Sequence, residues 1–172
     1  NTGYKVADDI DYSLACQIID LCSDLKIKHI TLVGGEPTIY PNLFDVIDYC
    51  HNKKISCGFV TNGLACKDKN FVNNLRKHMI KGVSISLKGE TAAVFKDVTG
   101  VDAFEDVLLG IKNCLSSGLS VTVSMVLTEE NINSYLVGVK TLKELGVKNF
   151  HFSFCYEFDT SMEHNHYLKQ HN

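Results

Sequence analysis

Apolar residues recur along this chain at the spacing of one helix face in five places: Leu14, Ile18, Leu21, Cys22 and Leu25; Leu43, Val46, Ile47 and Cys50; Val72, Leu75 and Met79; Phe104, Val107, Leu108, Ile111 and Leu115; Ile132, Leu136 and Val139. Steps of three and four residues put such side chains on one stripe, so the pattern predicts five amphipathic helices. Between and after them lie five short β-type runs, near 30–33, 57–61, 83–87, 121–127 and 149–155, set off by boundaries such as Lys53-Lys54, Gly82, Gly118 and Gly146. The predicted order is strict alternation of helix and strand. Connections that contain a helix return the chain to the same edge of a sheet and build parallel strands, with right-handed crossovers. The expected fold is therefore α/β, a partial barrel of parallel strands over 1–159, with 160–172 as a polar tail or the start of a further segment.

Parallel strands buried on both faces are usually continuous Val/Ile/Leu runs, and these are not. Ile85 and Leu87 alternate with Ser84, Ser86 and Lys88; Val121, Val123 and Met125 with Thr122 and Ser124; Phe150, Phe152 and Phe154 with His151, Ser153 and Cys155. Because side chains alternate across a strand, one face of the sheet is apolar and the other carries hydroxyls, an amine, an imidazole and a thiol. A filled barrel would want bulky branched side chains there, so the small polar ones predict an open hollow that admits a polar ligand. A half-solvated sheet face without a ligand is the bland alternative.

Composition narrows the class. At 172 residues with 45% hydrophobic and 22% charged residues the chain suits one soluble globular domain, and no apolar stretch approaches a membrane span. A net charge of −3 gives no protein-wide attraction to phosphate backbones or anionic lipid, so neither nucleic acid nor membrane is a default partner. The seven cysteines are odd in number, fall mostly inside predicted elements and nowhere form C-x-x-C or C-x-x-x-C-x-x-C, which favours buried thiols in a reducing cytoplasmic setting over a disulfide framework. The first predicted helix has no strand before it, which leaves the run at 30–33 as an unpaired edge and points to a parent chain that begins upstream of Asn1.

Three special turns follow three successive strands: Gly34-Gly35-Glu36-Pro37, Thr61-Asn62-Gly63 and Ser86-Leu87-Lys88-Gly89. In a parallel sheet these carboxyl ends share one rim, the usual ligand edge of α/β proteins. Glycines let a backbone approach a bound molecule, the proline ends strand pairing, and the glutamate is left at the mouth of the sheet. A ligand with ammonium, carboxylate, ribose and adenine would suit them, with Glu36 or nearby carbonyls to the ammonium, Thr61, Asn62 and Ser86 as neutral partners, and Lys88 to an anionic group.

Over about Asp11 to Phe154 the chain resembles the core of the radical SAM superfamily, most similar to its molybdenum-cofactor, peptide-maturase and activating-enzyme branches. By that resemblance Gly34, Gly35, Glu36 and Pro37 form the S-adenosylmethionine motif, with the first three holding the methionine amino group. Thr61 and Asn62 would lie beside the cofactor, Ser86 and Lys88 near its ribose or carboxylate, and Ser124 is a further candidate. The resemblance implies a [4Fe-4S] cluster held by three cysteines, reductive cleavage of S-adenosylmethionine to a 5′-deoxyadenosyl radical, hydrogen abstraction from a substrate, and an electron donor such as flavodoxin or ferredoxin. Two departures stand out. The cluster motif C-x-x-x-C-x-x-C is missing, so this segment alone is expected to be inactive, and Lys88 stands where many relatives carry the acid of S-x-D-G, so no carboxylate contact to ribose passes to position 88.

Other residues are weighed from chemistry alone. Glu36 suits a ligand or a loop-fixing carboxylate better than a general base, since no paired acid is near in sequence. Asp97 with Thr99-Gly100 is expected to cap a helix beginning near Asp102 rather than form a lid. His151 and Cys155 share the inner face and are expected in the core unless they reach substrate, while His164, His166 and His171 suit a solvated tail better than a metal site. Two rival functions remain: a Schiff-base aldolase-like barrel using Lys88, and a non-catalytic domain that binds a nucleotide-like ligand.

Overall fold

The computed structural model describes residues 9–128, 131–132 and 134–154. Five strands form one sheet in sequence order, β1 (His29–Leu32), β2 (Ser56–Thr61), β3 (Gly82–Ser86), β4 (Ser120–Leu127) and β5 (Asn149–Phe154), and every neighbouring pair is parallel. Each strand lies beside the one before it, so right-handed crossovers stack the helices on one face and curve the sheet toward a barrel. That face holds the core. Phe59, Val83, Ile85, Val121, Val123 and Met125 from the sheet pack there with Ile47, Leu75, Val107 and Ile111 from the helices.

The helices are α1 (Tyr12–Asp24), α2 (Leu43–Asn52), α3 (Lys69–Lys77), α4 (Ala92–Thr99), α5 (Phe104–Ser116) and α6 (Tyr135–Glu144). Side-chain caps start several of them: Asp11 accepts from Ser13 N at 2.8 Å, Asp68 from Asn70 N at 2.8 Å and Thr91 from Val94 N at 3.3 Å. The turns that lead from helix to strand use a left-handed residue, filled by Gly118 (φ +80°) and Gly146 (φ +102°) but also by Lys26, Lys54 and Met79 at φ near +60°.

Four expectations are corrected by the structure. Helix and strand do not alternate strictly, because α4 and α5 both lie between β3 and β4. Asp97 sits inside α4, and Thr99 ends it, its hydroxyl donating to Phe95 O at 2.7 Å while Gly100 takes φ +71°; the next helix starts at Ala103 without a side-chain cap. The stripe of α1 faces away from the core: Leu14, Ile18, Leu21 and Leu25 are 46–66% exposed, whereas Ala15 and Ile19 are buried. In α6 the phase also differs, with Gly138 and Leu142 buried, Leu136 exposed and Ile132 outside the helix.

The thiols behave as small hydrophobes. Cys50, Cys57, Cys66 and Cys114 are buried and Cys16 and Cys22 half-buried, all free, while Cys155 and the three tail histidines lie outside the described residues. Cys50 of α2 meets Cys57 of β2, and Cys66 meets Cys114 of α5; the neighbouring thiol first, and burial second, push the Cys57 and Cys66 thiols far above the ordinary range. No helix among the described residues is long and apolar enough to cross a membrane.

Candidate functional site

The inner face of the sheet carries the polar residues that alternation predicts. Ser84 pairs with Thr122, Ser86 with Ser124, and Ser124 with His151 across the three strands β3, β4 and β5. Ser124 Oγ and His151 Nδ1 share a hydrogen bond at 3.0 Å. His29, which sequence reasoning missed, lies on the same face of β1, with Nδ1 2.7 Å from Ser56 Oγ and Nε2 3.1 Å from Thr31 Oγ1. Its ring lies over Gly58, where a Cβ would stand 3.4 Å from it. A shallow hollow of about 180 Å³ is lined by His29, Thr31, Gly58, Ser84 and Thr122, so the middle of the sheet is not plugged by aliphatic side chains. A larger cleft of about 550 Å³ lies at the opposite edge, between the starts of β2 and β3, away from the three special turns.

Those three turns do meet on one rim. Glu36 joins the first two: its Oε1 accepts from Thr38 N at 3.1 Å, Thr38 Oγ1 at 2.7 Å and Thr61 Oγ1 at 2.7 Å, and its Oε2 accepts from Asn62 N at 2.7 Å. Of the two roles considered for this carboxylate, loop fixing is the one its four protein donors occupy. Pro37 then opens a short 3-10 turn, Pro37–Ile39, as a residue without an N–H can.

Thr61 lies on the helix side of β2, with Cys57 and Phe59, and is only 2% exposed. Its hydroxyl donates to Glu36 and accepts from Gly63 N at 3.0 Å, so it buttresses the rim from behind. Asn62 is exposed, its Oδ1 accepting from Leu64 N at 2.9 Å. Gly63 takes φ +84°, and a Cβ there would stand 2.9 Å from Ile85 Cγ2.

Gly34 (φ +150°) and Gly35 are the open part of the rim. A Cβ on either would meet nothing within 4 Å among the described residues, so both backbones face space that a ligand can enter. Carrying the β2–β3 register one residue further sets Asn62 opposite Ser86, and the paired row continues through Ser124 to His151. Lys88 follows the end of β3 in a loop rather than in the strand, and its side chain is exposed. Next to it sits a residue that sequence reasoning missed altogether: Glu90, 3% exposed, with Oε1 accepting from Ser134 Oγ at 2.5 Å.

The rim fits an amino-acid nucleoside such as S-adenosylmethionine. Open glycine backbones, an exposed amide, paired hydroxyls and a lysine offer neutral and cationic partners along one edge. An iron-sulfur cluster does not fit the described residues, because their cysteines are on α1 or in the core and no group of three or more His, Cys, Asp or Glu is brought together among them.

A family model described as the Radical SAM superfamily matches residues 15–140. Mycofactocin maturase MftC of Mycobacterium tuberculosis (strain ATCC 25618 / H37Rv) is 28% identical over 133 residues, covering 77% of this chain and 34% of that protein. A probable GTP 3',8-cyclase of Saccharolobus solfataricus is 30% identical over 127 residues, covering 73% of this chain and 41% of that protein. This chain thus spans well under half the length of these relatives. Streptococcus suis SuiB bound to S-adenosylmethionine shares the fold with a TM-score of 0.79 at 18% identity, over 99% of this chain and 39% of that one. The protein anSMEcpe with bound AdoMet shares it with a TM-score of 0.77 at 17% identity, over 96% of this chain and 48% of that one.

Proposed function

Because this chain belongs to the radical SAM superfamily, whose members use S-adenosylmethionine and a [4Fe-4S] cluster, we propose that it is the S-adenosylmethionine-binding part of a radical SAM enzyme. The observation that carries this is the rim itself: Glu36 clamps two turns together and leaves Gly34 and Gly35 facing open space. A [4Fe-4S] cluster, held outside the described residues, would supply the electron for reductive cleavage of S-adenosylmethionine bound at this rim.

The chain's own residues bind and orient. The carbonyls of Gly34 and Gly35 receive the methionine ammonium, while Glu36 and Thr61 hold that loop in place and Pro37 turns the chain away. Asn62, Ser86 and Ser124 face the nucleoside with hydroxyl and amide groups, and Lys88 takes the methionine carboxylate. A Schiff-base role for Lys88 calls for a desolvated amine, and this one is exposed. The relatives named above differ in activity by name, a mycofactocin maturase and a probable GTP 3',8-cyclase, so the shared part of the reading is the radical chemistry.

The cluster belongs, in this proposal, on a further strand of the parent chain beside β1. Two features support that placement. Among the described residues β1 pairs on one side only, and the apolar stripe of α1, the helix that precedes it, is exposed.

The test is anaerobic loading of the full-length protein with iron and sulfide, reduction, and chromatography for 5′-deoxyadenosine. Wild type is expected to form it, Gly35→Val to lose most of it, and the 172-residue segment alone to form none. A loaded, reduced full-length protein that yields no 5′-deoxyadenosine overturns the proposal.

A further inference from the structure

Glu90 is a carboxylate where a carboxylate is costly. It is 3% exposed, its Oε1 is satisfied by Ser134 at 2.5 Å, and its Oε2 is buried with no hydrogen-bond partner among the described residues. Other features built around it offset that cost. Ser134 directly precedes α6, yet its hydroxyl caps Glu90 rather than its own helix. Glu90 itself directly precedes Thr91, the N-cap of α4, so the Ser134–Glu90 hydrogen bond joins the starts of two helices.

Glycines on both flanks make the fit. Gly138 sits in the middle of α6, where glycine weakens a helix, and a Cβ there would stand 2.7 Å from Glu90 Cβ and 3.1 Å from its Cα. Helix α6 therefore rests directly on the Glu90 backbone. On the other side a Cβ on Gly89 would overlap the backbone nitrogen of Phe95 in α4. Leu87, buried, donates its N–H to Ser124 O at 2.9 Å. The loop 87–90 is thus pinned by β4, α4 and α6 in turn, and the one side chain it leaves exposed is Lys88.

We propose that Glu90 is a positioning residue: through Ser134 and α6 it fixes the loop that presents Lys88 to the cofactor rim, and so it sets S-adenosylmethionine affinity through Lys88. This rests on the assignment of the rim to S-adenosylmethionine. It adds that the segment leading into α6, far along the chain from the motif turns, is coupled to cofactor binding.

The experiment is a double-mutant cycle on the full-length protein, with S-adenosylmethionine dissociation constants measured by calorimetry and unfolding midpoints measured alongside. The variants are Ser134→Ala, Glu90→Gln, Lys88→Ala, and each of the first two combined with Lys88→Ala. Ser134→Ala and Glu90→Gln are expected to weaken binding by about fivefold to tenfold, the scale of coupling between residues of one network. In the Lys88→Ala background that loss is expected to vanish. Equal losses in both backgrounds would mean that Glu90 acts only on general stability, and would overturn the inference while leaving the rim assignment standing. A wild-type protein that binds no S-adenosylmethionine would sink the assignment and the inference together. Should Glu90→Gln fail to fold, Ser134→Ala carries the cycle, since it removes a single hydroxyl oxygen.

Discussion

Replacing Glu36 by glutamine tests the clamp at its centre. The glutamate accepts four hydrogen bonds on two oxygens, from Thr38 N, Thr38 Oγ1 and Thr61 Oγ1 on one side and from Asn62 N on the other. Glutamine has the same length but only one acceptor oxygen. Placed one way, its amide nitrogen meets the Asn62 N–H at a site built for 2.7 Å. Placed the other way, it meets the Thr38 N–H, and the buried Thr61 hydroxyl, already accepting from Gly63 N, loses its acceptor. Either orientation sets donor against donor, which costs about 1–3 kcal/mol for a desolvated group. We expect about 2 kcal/mol, a fall in melting temperature of roughly 4–8 °C for a domain of this size. Thermal and urea unfolding of Glu36→Gln would read it, with Phe59→Ala as a core control expected to lose about 3–5 kcal/mol. If Glu36→Gln stays within about 0.5 kcal/mol of wild type while the control falls as expected, the clamp is not what joins the two turns.

Further outcomes follow from the same geometry. Lys54 and Met79 stand at left-handed positions where a side chain costs about 1–2 kcal/mol, so Lys54→Gly and Met79→Gly should each stabilise by a net ~0.5–1 kcal/mol after the added chain entropy of glycine; lower unfolding midpoints would refute this. Gly63→Ala forces φ +84° and a 2.9 Å approach to Ile85, and should destabilise by roughly 1–3 kcal/mol, checked by urea denaturation. Lys53 first, then the Tyr49 hydroxyl, hold the Asp20 carboxyl below its usual range, and Asp20 in turn raises the Lys53 amine. The carboxyl's contribution is complete above the ordinary aspartate value and disappears as pH drops through its lowered one. The stability gap between wild type and Asp20→Asn should therefore close in acid, and a gap that is constant down to strongly acid pH would contradict it.

The strands and the inner face were legible because alternation needs only local sequence: Ser84, Ser86, Thr122, Ser124 and His151 fall on one side by parity alone. The rim was legible because its turns are punctuated by glycine and proline. Helix α1 was misjudged for a physical reason: periodicity identifies a stripe but not what covers it, and the wider stripe of Leu14, Ile18, Leu21 and Leu25 is the uncovered one. Helix α4 escaped notice because it buries only Phe95, too few apolar residues to set a period. Glu90 had no signal at all, since a single acid beside Thr91 looks like any helix start until α6 closes over it.

The paired sulfurs have a practical outcome for metal analysis. Within each pair the neighbouring thiol pushes one member up, Cys57 and Cys66, and the other down, Cys50 and Cys114, so it is burial that withholds them from iron, and Cys57 and Cys66 are 6% and 0% exposed. Cys50 and Cys114, fully covered beside them, are out of reach of dissolved ions as well. Iron stoichiometry in loaded preparations therefore needs no subtraction for these four sulfurs.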